Sequence, residues 1–69
     1  MNITISHNRA AVEFNGKTIQ FAVWDLEETQ HEDLRKQLST AFAICDTFDE
    51  IEKHLKLNGF DASLEDIYE

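Results

Sequence analysis

Asn15-Gly16, set between two stretches of alternating apolar and polar residues, constrains this chain more than any other feature. The two central residues of a type I′ turn both need positive φ, which Asn and Gly tolerate best, so the pair predicts a two-residue β-hairpin. The turn then fixes the register: Phe14 faces Lys17, Val12 faces Ile19 and Ala10 faces Phe21. In that register Ala10, Val12, Ile19 and Phe21 share one face, extended by Phe14 and Val23, while Arg9, Glu13, Thr18 and Gln20 take the other. A slip by one residue would turn every side chain to the wrong face, so pattern and turn specify the same pairing.

Upstream, Ile3 and Ile5 alternate with Thr4 and Ser6 and predict a further strand, separated from the hairpin by a turn at His7-Asn8-Arg9. Downstream, the period lengthens. Thr29-Gln30-His31-Glu32 reads as a capping box, followed by Leu34, Leu38, Ala41, Phe42 and Cys45 along one helical stripe. Thr47-Phe48-Asp49-Glu50 reads as a second box, opening a helix with Phe48, Ile51 and Leu55 on its apolar side. Asn58-Gly59 predicts its end, with Phe60 folding back onto Leu55. Ser63 is expected to start a last short turn carrying Leu64, Ile67 and Tyr68. The expected fold is α+β: a three-stranded antiparallel meander packed on two helices, order βββαα, in two layers spanning residues 1–69 as one domain.

Composition narrows the function classes. Sixty-nine residues bury only about 60% of the unfolded surface, which leaves a thin core and little room for a desolvated catalytic pocket. The longest apolar stretch is Phe21-Ala22-Val23-Trp24, and no basic segment followed by a long apolar run opens the chain; neither a membrane span nor a secretory leader is expected. The lone Cys45 makes no internal disulfide and is expected as a small hydrophobe in the core, with the cytoplasm as the default compartment.

No constellation for catalysis stands out. The serines Ser6, Ser39 and Ser63 lie outside any Gly-x-Ser-x-Gly elbow, and both glycines are assigned to turn and cap rather than to a phosphate loop. His7, His31 and His54 form no close pair; Glu50 with His54, and Glu27 with His31, stand at i,i+4, a spacing common on exposed helix faces. An enzyme, a metal site and a cofactor are therefore not expected. A chain of net charge −8 repels a nucleic-acid duplex, and Ser63-to-Glu69 is too short and acidic for a recognition helix.

The charge itself is polarised. Residues 1–24 hold Arg9 and Lys17 against Glu13, whereas residues 25–69 hold thirteen acids against Arg35, Lys36, Lys53 and Lys56. Apart from Glu32 and Asp33, these acids fall in three groups: Asp25/Glu27/Glu28, Asp46/Asp49/Glu50/Glu52 and Asp61/Glu65/Asp66/Glu69. The first two contain acids that complement the positive ends of helix dipoles, and Glu32–Lys36 and Glu52–Lys56 read as ordinary helical pairs. The last group has no basic residue within it and lies mostly past any helix start, so helix capping explains it less well.

Two functional expectations follow. The first is a non-enzymatic protein–protein interaction module whose acidic face, through Asp46, Asp49, Glu50, Asp61, Glu65, Asp66 and Glu69, docks on a basic surface of another protein. Trp24 and Tyr68 are added as aromatic candidates for the interface. Its narrowest form is an inhibitor that occupies a nucleic-acid channel by negative-charge mimicry, with Lys53 counting against a pure mimic. In size and charge the chain resembles small acidic anti-restriction and anti-CRISPR proteins of phages and mobile elements, and the resemblance implies that kind of target. The second expectation is a small homodimeric assembly subunit, pairing through the hairpin edge and Trp24. Trp24 is either exposed on the face opposite Ile19, Phe21 and Val23 or folded under the following loop onto Leu26.

Overall fold

The hairpin forms as its turn dictates. In a computed structural model, which describes residues 1–68, Asn15 and Gly16 have φ of 52° and 78°. Strand β2 (Arg9–Phe14) pairs antiparallel with β3 (Lys17–Trp24) in the expected register. Strand β1 (Asn2–Ser6) adds to β2 through a tight turn at His7 and Asn8, so Arg9 belongs to β2 rather than to the turn.

Helix α1 (His31–Ile44) and helix α2 (Phe48–Leu57) follow, and the chain then returns to the sheet. Residues expected as a last turn form strand β4 (Asp61–Tyr68), antiparallel to β3, so the sheet has four strands in the order β1-β2-β3-β4. The fold is α+β as expected, but the chain order is βββααβ rather than βββαα. A bulge explains the difference. Phe21 faces Leu64 and Gln20 faces Asp66, which leaves Glu65 as an extra residue. The inward positions of β4 therefore run Ala62, Leu64, Ile67, and the stretched last interval imitates the i,i+3 spacing of a helix.

Both helices lie on one face of the sheet. Leu34, Leu38 and Ala41 of α1 and Ile51 and Leu55 of α2 close over Ala10, Val12, Ile19, Phe21, Val23 and Ala62. Phe60 is buried as predicted: Gly59 takes φ 89°, and the Phe60 N–H donates to the Leu55 carbonyl at 3.0 Å. At the start of α2, Thr47 Oγ1 accepts from the Glu50 N–H at 3.3 Å, as a capping residue should. The Glu50 carboxylate reaches one residue further back than expected and accepts from the Asp46 N–H at 3.2 Å.

The box at Thr29 does not form. A short 3₁₀ turn (Glu28–Gln30) precedes α1, and its reciprocal contact is a Gln30 Oε1 accepting from the Glu27 N–H at 3.0 Å. Gln30 rather than Thr29 stands as the flanking residue of α1, so the helix begins one residue later than the sequence pattern places it.

Each outer strand is tied to the helix beside it. On β1, the Ile3 carbonyl accepts from Arg35 Nη1 at 2.6 Å. On β4, the Leu64 N–H donates to Glu52 Oε1 at 2.5 Å, so Glu52 serves the sheet edge and not simply a helical pair with Lys56. Charged groups on strand edges oppose pairing with other chains. The hairpin itself lies in the middle of the sheet, flanked by β1 and β4, and offers no free edge.

Candidate functional site

The acidic candidates fall on two elements that touch. Helix α2 packs against β4, and the Glu52–Leu64 bond joins them directly. Asp46 and Asp49 at the start of α2 and Asp61 and Asp66 on β4 are all exposed. The fold thus brings the helix that carries the second acidic group onto the strand that carries the third, with Asp61 and Asp66 on the outer face of the sheet, opposite the inward Ala62, Leu64 and Ile67. Lys53 and Lys56 are exposed on the same helix and interrupt the series. Where carboxylates lie three or four residues apart on a helix, about 5–6 Å separates their Cβ atoms.

Not every predicted acid contributes an unengaged charge. Glu65, the bulge residue, is bridged to Arg9 Nη1 at 3.0 Å. Arg9 and Ala22 are opposite each other in the register, so this pair crosses over β3 on the outer face, where Ala22 is buried. The last acidic group lacks a basic residue in sequence, but the fold brings one from β2. Glu50 is held by its bond to the Asp46 N–H, and Asp66 Oδ1 accepts from the Ile67 N–H at 2.8 Å. Tyr68 ends β4 opposite Thr18, and Glu69 lies outside the described residues.

Of the two arrangements open to Trp24, the structure has the exposed one. Trp24 is 55% accessible at the end of β3, on the outer face and opposite Asp61, while Leu26 alone turns into the core. Asp25 supports that turn with φ of 55°, the only non-Gly residue besides Asn15 in the left-handed region among the described residues.

Cys45 departs from its expected place. Helix α1 ends at Ile44, so the stripe through Leu38 and Phe42 does not continue, and Cys45 takes an extended backbone (φ −93°, ψ 142°). Its side chain is half-buried against the edge of the core. Burial, then the carboxylates of Glu50 and Asp46, push its thiol pKa up from the ordinary value. At neutral pH it stays protonated, which makes it a poor nucleophile.

Of the two histidine pairs considered for metal binding, Glu50 with His54 is engaged elsewhere. His54 Nε2 lies 3.0 Å from Gln37 Oε1, linking α2 to α1, and Glu50 is held at the helix start. Among the described residues, no three His, Cys, Asp or Glu side chains gather as a metal site would require, and no helix is long and apolar enough to cross a membrane.

Sequence reasoning missed a groove at the hairpin-turn end of the molecule. Phe14, Ile19, Phe42, Phe48 and Ile51 line a recess of about 450 Å³ between the sheet and the α1–α2 junction. The visible signal was three phenylalanines, 14, 42 and 48, more than such a thin core encloses; two are half-buried and Phe14 is exposed. Comparison with protein-family models, with curated proteins and with solved structures found no match to this chain.

Proposed function

We propose that this chain is a non-enzymatic interaction module that docks its α2–β4 flank on a basic surface of another protein. The observation that supports it is the packing of α2 on β4, which sets Asp46 and Asp49 beside the strand bearing Asp61 and Asp66. Two acidic segments separated in sequence meet along the β4 side of the fold, which would present clustered lysines and arginines with more carboxylates than either segment alone. The narrower form is an inhibitor, of the kind encoded by phages and mobile elements, that blocks a nucleic-acid-binding surface by charge mimicry. Lys53, Lys56 and the Arg9–Glu65 bridge break the uniformity that phosphate mimicry asks for. A mixed protein patch therefore fits this flank better than an uninterrupted phosphate track.

The test is capture of partners by the tagged full chain from its native cells, washed at about 0.05 M and at about 0.5 M salt, where exposed charges are strongly screened. We expect a basic protein to be retained at low salt and released at high salt. The variant Asp49→Lys/Asp61→Lys/Asp66→Lys, checked by its melting temperature, should bind that protein more than about tenfold more weakly. Equal retention by the variant would overturn the reading.

A homodimeric subunit is the second reading, and the exposure of Trp24 beside Asp61 is the observation in its favour. With the hairpin flanked on both sides, such a dimer would use the outer sheet face. Self-association unchanged by salt and abolished by Trp24→Ala would support it in place of the first reading.

A further inference from the structure

At the end of the molecule that carries the Asn15-Gly16 turn, the sheet and helices do not close over one another. Phe42 forms the floor of the resulting groove. Its ring stands edge-on to the buried Phe21 at 6.3 Å and tilted against Phe14 at 5.6 Å. A wall anchored in the core on one side and open on the other is a preformed recess rather than a loose end. Its volume of about 450 Å³ lies inside the range of roughly 300–1,000 Å³ over which proteins hold ligands. Ile67 faces Ile19 in the register, shares its side of the sheet and is 38% exposed, so apolar surface continues past the groove.

The rim carries both signs, with the carboxylate on the helix side. Cys45 and Asp46 stand on the helix side and Lys17 on the sheet side. Both Asp46 and Glu50 act on the Cys45 thiol to oppose its ionisation, after burial itself, so the field at that wall is negative and the wall is partly desolvated. The Glu50 carboxylate is fixed there by the Asp46 N–H. An apolar recess with Asp46 on its helix wall and the held Glu50 carboxylate close by suits a ligand with an apolar body and a cation on that side.

We propose that the groove receives one large apolar side chain from a lysine- or arginine-bearing segment of a partner protein, with the neighbouring cation against Asp46 and Glu50. The inference rests on the proposed acidic docking function and names its anchor. Interfaces concentrate their affinity in such desolvated pockets, while the surrounding charges give orientation and rate. The groove adjoins the start of α2, where Asp49 also lies, so one segment reaches both pocket and flank.

The test titrates the ¹⁵N-labelled full chain with three capped synthetic peptides. The first has a Phe-Leu centre flanked by lysines, the second replaces the centre with two serines, and the third replaces the lysines with glutamates. We expect the first to shift the amides of Phe42, Cys45 and Phe48 saturably, with affinity more than tenfold above the other two. Asp46→Lys should weaken it about tenfold without changing the fold, as judged by the amide spectrum. No saturation below about 1 mM, a weak affinity of about −4 kcal/mol, would overturn the proposal. Equal binding of the glutamate peptide would overturn it too. So would concentration-dependent shifts at the groove in the chain alone, which would make a second copy the occupant. Shifts confined to Asp61 and Asp66 would overturn the groove and leave the acidic flank standing. Failure of the flank itself is read separately, from the triple lysine variant.

Discussion

A chain ended after Phe60 loses cooperative folding. The missing segment supplies Ala62, fully buried, and Leu64, packed against the core, and it covers β3 along its length. Without it, the outer side of β3 becomes an unpaired edge and α2 loses the strand it packs against. A domain of this size has a net stability of roughly 3–10 kcal/mol at ordinary per-residue values. Removing a buried alanine, a half-buried leucine and a strand's worth of backbone pairing exceeds the lower part of that range. The deletion also removes Asp61, Glu65, Asp66 and Glu69, four of the fourteen acids. Relief of self-repulsion would act in the opposite direction, as a gain in stability. The sign of the change therefore separates packing from charge. Far-ultraviolet circular dichroism during a thermal melt reads it: we expect no cooperative transition, and a melt within a few degrees of the intact chain would show that the acidic end is an appendage.

Phe21→Ala is expected to cost about 3–5 kcal/mol, the range for removing a buried aromatic ring. Phe21 is fully buried in the central pair of strands, and its ring meets Phe42 edge-on. The substitution opens a cavity where the sheet and helices meet and leaves the groove floor without support. Against the stability expected of so small a domain, much of the protein would be unfolded at physiological temperature. Trp24→Ala is the matched control. It removes a larger ring, but one that is more than half exposed, and should change stability by no more than about 0.5 kcal/mol. Urea titration of both variants checks this. Similar losses from the two would mean that Trp24 belongs to the core.

What the sequence disclosed and what it hid have distinct physical causes. The hairpin was legible because Asn15-Gly16 and the alternation on both sides independently demand the same register. Gly59 and Phe60 were legible for a similar reason, since a left-handed residue and a returning apolar side chain are one motif. Strand β4 was hidden by the bulge at Glu65, which turns a period of two into the helix-like interval from Leu64 to Ile67. Cys45 was misplaced by extrapolating a helical stripe one residue past the end of α1. The groove could not be read locally, because its walls come from residues 14–19 and 42–51 and meet only in the folded chain.

The acidic groups were visible in the sequence as residues but not as a surface. The last group was expected past the helices, in a short turn, whereas it lies on a strand, and only the contact of β4 with α2 brings that strand to the helix of the second group. The same contact changes the role of Glu52, whose carboxylate holds the Leu64 N–H at the sheet edge. Glu65 changes role as well, from an unopposed acid to the partner of Arg9. These two are positioned to maintain the sheet, which leaves Asp46, Asp49, Asp61 and Asp66 as the carboxylates of the proposed docking flank.

Zero-length carbodiimide coupling of the chain to the protein it retains at low salt, followed by mass spectrometry of the linked peptides, tests the docking flank most directly. The account predicts that partner lysines couple to Asp46, Asp49, Asp61 or Asp66 and that high salt suppresses the coupling. Links confined to Glu32 and Asp33, in the first turn of α1, would contradict it.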